Sequence, residues 1–412
     1  MKPSGIEWIG DIPDDWEVTK IGQLYLERNE KVSDREYEAL SVTKHGILKQ
    51  LESAAKTDNG DNRKLVKSGD FVINSRSDRR GSCGISKFDG SVSLINIILM
   101  PTQKIANGYY NYLFRTENFA DEFYKYGNGI VDDLWSTKWT SMKKILVPFP
   151  SLRTQQRIAD YLDEKCGEID ATIAKQKESI EKLKAYKQSL ISETVTKGLD
   201  KSAPLKPSGI EWIGDIPSHW EIKKLKFLVS LIDNKTKDGH SISLENIESG
   251  TGKLIETENT YDGEGISFKE NDLLFGKLRP YLAKVYLSAL KGRALGDFYV
   301  MRANKGTNPN FLKFVLLSDW FIKIVDSSTY GTKMPRASWD FTGGMRIPLP
   351  PISEQDCISS YLETKCSEVD TFIIEKQNII QKLDAYKKSL IFECVTGKCS
   401  ILGEICNGRK SK

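Results

Sequence analysis

Residues 2–13 read Lys-Pro-Ser-Gly-Ile-Glu-Trp-Ile-Gly-Asp-Ile-Pro, and residues 206–217 read the same twelve letters in the same order. Both copies continue with two residues and then Trp-Glu, at Trp16-Glu17 and Trp220-Glu221. An identical stretch of that length, at an offset of 204, marks a tandem duplication. A second block, Val147 to Gly198, returns as Ile347 to Lys398 at an offset of 200, with 23 identities in 52 positions. Between the blocks, residues 14–146 and 218–346 have similar lengths, 133 and 129, but share no extended ungapped match. The chain therefore reads as variable domain, helix, variable domain, helix.

The second block opens on a stop signal. Val147-Pro-Phe-Pro150 and Ile347-Pro-Leu-Pro-Pro351 force extended backbone and exclude a helix interior. Helical periodicity follows at once. Leu162, Cys166, Ile169, Ile173, Gln176, Ile180, Leu183, Lys187, Leu190 and Thr194 alternate spacings of four and three, and Leu362, Cys366, Val369, Ile373, Lys376, Ile380, Leu383, Lys387, Leu390 and Cys394 repeat them. This is a coiled-coil seam over more than four heptads. Each helix, about 40 residues at 1.5 Å, spans roughly 60 Å. A narrow stripe of that length needs a helical partner rather than its own domain, and the other copy supplies one. The expected fold is α+β: two mixed α/β domains separated by two long helices in an antiparallel coiled coil, related by a pseudo-twofold axis. The segments are 1–150, a central helix at 151–199, 200–350, a second helix at 351–396, and a tail at 397–412. Antiparallel helices would put one variable domain at each end and act as a ruler.

Within the variable domains, Asp70–Asn74 and Asp272–Gly276 read as short buried strands, and Val92–Met100 is a further apolar, β-branched run. Turn signals stand at Asp58-Asn-Gly60, Asp89-Gly90 and Asp262-Gly263. Asn111–Tyr124 and Asn310–Val325 read as short amphipathic helices.

Composition narrows the class. At 412 residues, 39% apolar and 28% charged, the chain is globular and too long for a single core. No run approaches the roughly 18 apolar residues of a membrane span, and no signal pattern opens the sequence, so a cytoplasmic protein without membrane contact is expected. Seven Cys with no CxxC pair, and three His none of which is near a Cys, argue against disulfides and a structural metal. A metal-binding tail at Cys394, Cys399 and Cys406 is the weak alternative. The net charge is +4, and residues 201–350 hold all the excess, with 21 basic and 17 acidic residues. A protein that held nucleic acid alone would show a heavier basic footprint, so DNA binding here requires local patches or a partner.

No catalytic constellation is visible. The sequence has no GxSxG, HExxH or P-loop, and neither the glycine-rich loop nor the aromatic-proline tetrapeptide of adenine methyltransferases. The nearest approach to a nuclease signature, Pro13-Asp14…Glu17, has Thr19 where lysine belongs, and the second copy has Glu221-Ile222-Lys223 but Ser218 and His219 upstream. What remains are basic loops with aromatic neighbours. In the first domain the candidates are Asn74, Ser75, Arg76, Arg79 and Arg80 after a strand; in the second they are Lys277, Arg279 and Tyr281 after the equivalent strand. A second pair of loops adds Lys138, and Lys333 with Arg336, just before each proline stop. Arginine bidentate to guanine, and hydroxyls or amides to base edges and phosphates, are natural groove readers. A solvated turn with surface ion pairs is the plain alternative. The flanking tryptophans read as core.

Three stretches carry a family resemblance. The opening SGIEWIGDIP-x-x-W, the GKLRPYLAKV segment at 276–285, and IPLPP-x-x-EQ at 347–355 leading into YLETK resemble the specificity subunit of type I restriction-modification systems. GDFVINSRSDRRGSCGI at 69–85 is similar to a variant of the same target-recognition domain, and the likeness spans residues 2–396. One departure is SLRTQQ at 151–156, where the family commonly has Glu-Gln and only Gln155 matches.

The resemblance implies a non-catalytic DNA-binding chain with two target-recognition domains, each reading one half of a split, asymmetric double-stranded site across a gap set by the helices. It implies no cofactor on this chain. Two modification subunits would bind S-adenosylmethionine and methylate adenine after extruding the base, and two restriction-translocase subunits would use ATP and Mg. Because the two domains differ while their connectors match, the half-sites should be unrelated. Two readings from other classes compete: an enzyme of unrecognised motif, and a coiled-coil adaptor that binds protein. Salt separates the adaptor from the DNA reader, because DNA binding weakens steeply with added salt.

Overall fold

The computed structural model describes residues 1–50, 60–102, 105–129, 135–255, 257, 263–331 and 333–399. The turns expected at Asp58-Asn-Gly60 and Asp262-Gly263 lie outside the described residues in whole or part, as does Cys406. The chain divides into two units, Met1–Lys175 with Asn378–Lys412, and Gln176–Gln377. Each unit holds one variable domain and half of each long helix. No helix among the described residues is long and apolar enough to cross a membrane.

In the first unit, β1 (Tyr25–Glu27), β2 (Phe71–Asn74), β3 (Cys83–Ile85) and β4 (Asn96–Pro101) form an antiparallel sheet in the order β3-β2-β4-β1. In the second, β5 (Val229–Ile232), β6 (Asp272–Gly276), β7 (Val285–Leu287) and β8 (Phe298–Ala303) form β7-β6-β8-β5. The order is the same although the sequences share no ungapped match. Each sheet carries one buried carboxylate at the head of its second strand. Asp70 is bound by Arg28 at 2.7 and 3.2 Å, and Asp272 by Arg302 at 2.8 and 2.6 Å. Each unit is then closed against the start of its second repeated block: Glu17–Lys20 pairs with Leu146–Phe149, and Glu221–Lys224 with Arg346–Leu349.

The first core is aromatic, with Tyr25, Phe71, Tyr109, Tyr110, Phe114, Phe119 and Phe123 all buried; the second relies more on aliphatics around Phe275, Phe311 and Phe321. Two expectations change here. The helices foreseen over 111–124 and 310–325 are each broken in two, as Asn107–Phe114 with Glu117–Lys125, and Pro309–Leu317 with Asp319–Ser327. Thr116 and Ser318 adopt extended backbone at the break; the Thr116 hydroxyl accepts the Phe119 N–H, and that of Ser318 donates back to the Val315 carbonyl. The apolar run 92–100 is also split. Gly90–Val92 belongs to a different sheet from β4, because a turn at Ser93 accepts the Asn96 N–H.

The long helices are α1 (Leu152–Lys197) and α2 (Ile352–Thr396). Each starts on a buried glutamine. Gln155 donates to the Pro150 carbonyl and accepts the Ala106 N–H, and Gln355 donates to Pro350 and accepts from Asn308. The one residue that both helix starts retain thus ties each helix to its domain. The missing glutamate matters locally: Glu354 binds His219 and Trp220, at 2.6 and 2.9 Å, whereas Thr154 meets Ser151. Every seam position is buried or half-buried, including Leu162, Ile169, Ile173, Ile180, Leu183 and Leu190 of α1 and Leu362, Val369, Ile373, Ile380, Leu383 and Leu390 of α2. Inside the second unit Gln176 meets Lys376 and Lys187 meets Asp370, so contacts advance along α1 as they retreat along α2, the antiparallel sense.

Candidate nucleic-acid interface

The two candidate loops of each unit are separated by some sixty residues of sequence, yet the fold brings them together. In the first unit, Thr137 N–H donates to the Ser75 carbonyl at 2.9 Å and Ser77 N–H to Trp135 at 3.1 Å; the Arg76–Ser136 bridge lies between. In the second, Ala337 N–H donates to Lys277 at 2.9 Å and Arg279 N–H to Pro335 at 2.8 Å, around a Leu278–Arg336 bridge. A third strand-like contact recurs as Asn128–Ser136 and Tyr330–Arg336. The turn before the last sheet strand also joins each clamp, through Ser75 N–H to Ile95 and Lys277 N–H to Asp297. These are the same backbone hydrogen bonds, residue for residue. Arg76 therefore corresponds to Leu278, Ser77 to Arg279, Ser136 to Arg336, Lys138 to Ser338, and Ile95 to Asp297. Nearly every side chain differs on a shared frame.

Half-buried tyrosine hydroxyls hold that frame. Tyr124 donates to the Arg76 carbonyl and Tyr299 to that of Ala337, both at 2.7 Å. Burial pushes the Tyr299 hydroxyl up to about 12, so it stays a donor at any physiological pH. Trp139 and Trp339 pack against the cores, as read from sequence.

The candidates differ in availability. Asn74 and Ser75 are buried, and the Asn74 side chain accepts the Arg76 N–H, so both shape the loop. Arg76 and Arg79 lie 3.4 and 3.6 Å from Asp78, and Arg80 pairs with Asp121. Arg336 is held by both oxygens of Asp297 at 3.1 and 3.0 Å, and that hydrogen-bonded pair raises its already high pKa. Lys277 lies 3.9 Å from the same carboxylate and over the Tyr299 ring. Lys138, Arg279 and Lys333 are exposed and form no ion pair with another described residue. Arg279 also sits on left-handed backbone at φ +50°, a costly conformation for a side chain with a Cβ. Tyr281 follows, 54% exposed, with its N–H on Asp326.

Sequence reasoning missed several residues. A cleft of about 520 Å³ in the first unit is lined by Ser75, Arg76 and Lys138, but also by Lys64, Leu94 and Ile95. Lys64 reaches the Asn96 carbonyl at 2.9 Å and Glu27 at 3.8 Å; burial lowers its pKa against the pull of Glu27. Nothing local in the sequence marks Lys64, and Leu94 and Ile95 were hidden inside an apolar run. Asp297 stands 39 residues before its arginine partner.

Comparison with known proteins bears on this frame directly. The family profile described as the type I restriction modification DNA specificity domain matches residues 13–184. Along nearly its whole length the chain is similar to type I specificity subunits. The type I restriction enzyme MjaVIII specificity subunit of Methanocaldococcus jannaschii is 25% identical over 95% of this chain and 94% of its own length. The putative MjaX specificity subunit of the same organism is 22% identical over 95% and 96%. A solved chain described under the complex assembly and conformational transition of the type I R-M system superposes with a TM-score of 0.72 at 12% identity, covering 94% of this chain and all of that one. The chain thus shares its fold along nearly its whole length with that one.

Proposed function

We propose that this chain is a type I specificity subunit that reads a split, asymmetric DNA site, one clamped loop pair per half-site, and does no chemistry itself. The observation that carries the reading is the shared backbone clamp with exchanged side chains, 75–77 on 135–137 and 277–279 on 335–337. A common frame fixes how a loop enters a groove, and different side chains on it read different bases. Lys138, Arg279, Tyr281 and Lys333 are the foremost contacts; Arg76, Arg79, Arg80, Lys277 and Arg336 act through their ion pairs, and Asn74 and Ser75 shape the loop. The helices set the gap.

The chain works in the cytoplasm with two modification subunits that bind S-adenosylmethionine and methylate adenine, and with two restriction subunits that use ATP and Mg; it holds no cofactor. Partner subunits supply the phosphate contacts that its net charge of +4 leaves short. Co-expression with the modification subunit in a methylation-free host, followed by mapping of N6-methyladenine, tests the reading. A split motif with a fixed gap supports it. An assembled complex that leaves no new methylation overturns it, and binding that ignores salt would favour the protein adaptor.

A further inference from the structure

The position that most separates the two clamps is the turn before the last strand of each sheet. In the second unit it holds Asp297, whose carboxylate takes Arg336 and Lys277. In the first unit the same position, fixed by the same hydrogen bond to the loop, holds Ile95, with Leu94 before it. Both are exposed, at 40% and 39%, although turn tips are ordinarily polar. The turn is pinned at three places: Asn96 N–H and Nδ2 both donate to the Ser93 carbonyl, the Ile95 carbonyl accepts from Ser75, and Lys64 holds the Asn96 carbonyl. Two apolar side chains on a pinned turn thus stand in a cleft lined by Lys64, Arg76 and Lys138, with one carboxylate, Glu27, beside Lys64.

That combination narrows the ligand. Three cations against one carboxylate, around a small apolar tip, suit a polyanion that also offers an apolar group. In the major groove, the thymine 5-methyl is the apolar group that base edges present. We propose that Leu94 and Ile95 determine specificity in the first half-site by packing on thymine methyl groups. The proposal rests on the DNA reading above and deepens it.

Deoxyuridine in place of thymine removes only that methyl. Burying one such group corresponds to about a fourfold change in affinity. With the methylated motif mapped, and its first half assigned by exchanging residues 14–146, binding of the assembled complex to duplexes carrying deoxyuridine in either half is compared. About fourfold weakening per contacted thymine is expected in the first half and none in the second. The loss should vanish in L94A/I95A, whose exposed side chains leave the core intact. A first half-site without an A·T pair, or one indifferent to the methyl, overturns the proposal alone, as does an unchanged loss in L94A/I95A. Absence of any methylated motif removes the DNA reading and the proposal together.

Discussion

Arg279 and Arg336 carry the same charge and belong to the same clamp, but Asp297 binds Arg336 through both oxygens and leaves Arg279 exposed. A guanidinium already satisfied by a carboxylate must be released before it can grip a base, whereas Arg279 is held ready on left-handed backbone. Arg279→Ala should therefore cost about 1–3 kcal/mol of discrimination in the second half-site alone. Competition binding by the assembled complex checks this, and equal weakening on all sequences would make Arg279 a phosphate contact. Arg336→Ala should instead lower the thermal midpoint, since it removes both close hydrogen bonds to Asp297 and leaves that carboxylate only Lys277 at 3.9 Å. Glycine makes a second contrast. Gly198 and Gly397 end the two helices at φ +71° and +78°, but a Cβ would lie 3.0 Å from Trp220 in one case and 2.2 Å from Pro13 in the other. Ala should cost about 1–2 kcal/mol at Gly198 from backbone strain, and measurably more at Gly397, in urea unfolding.

Duplication puts the same ion pair at both ends of the helical seam, and burial makes the two unequal. Lys187–Asp370, in the second unit, has side chains only 9% and 16% exposed, and Lys253 joins it at 2.7 Å; Lys387–Asp170, in the first, is 26% and 58% exposed. Asp370→Ala leaves a buried ammonium without its partner and should cost about 3–5 kcal/mol, while Asp170→Ala should cost about 0–1 kcal/mol. Burial works to raise the Asp370 pKa, but hydrogen bonds from Lys187 and Lys253 outweigh it and hold the carboxyl below its ordinary value. Depression in the folded state means stability that is full above the unfolded value of about 3.9 and is lost as pH falls through the folded one. Acid unfolding followed by circular dichroism should therefore start at higher pH in Asp170→Ala than in Asp370→Ala once both are matched in neutral stability. The seam itself was legible because a heptad pattern is local and the second copy repeated it. The clamp was not: Arg76 and Ser136 meet only through the sheet between them, and neither the offset of 202 on one loop nor that of 200 on the other leaves a run of identities. The breaks at Thr116 and Ser318 were readable as caps, but a continuous apolar stripe overrode them.

Across the whole molecule, repeated flanks and divergent interiors divide the work. Each interior is shut against the repeated block that follows it, Glu17–Lys20 on Leu146–Phe149 and Glu221–Lys224 on Arg346–Leu349. That closure is made by backbone hydrogen bonds, which an exchanged first strand can remake, so replacing residues 218–346 with another relative's should change one half-site only. The helices carry the complementary prediction. A heptad adds about 10.5 Å at 1.5 Å per residue, and it returns the seam to the same face. Inserted in both α1 and α2 at matched positions, it preserves every a/d contact while lengthening the connection. DNA advances about 3.4 Å per base pair, so the gap in the methylated motif should grow by about three base pairs with both half-sites unchanged. Insertion in one helix alone should instead break the register and abolish methylation, because Lys187 would no longer meet Asp370. A gap that stays fixed in the double insertion, with methylation intact, would show that the helices do not measure it.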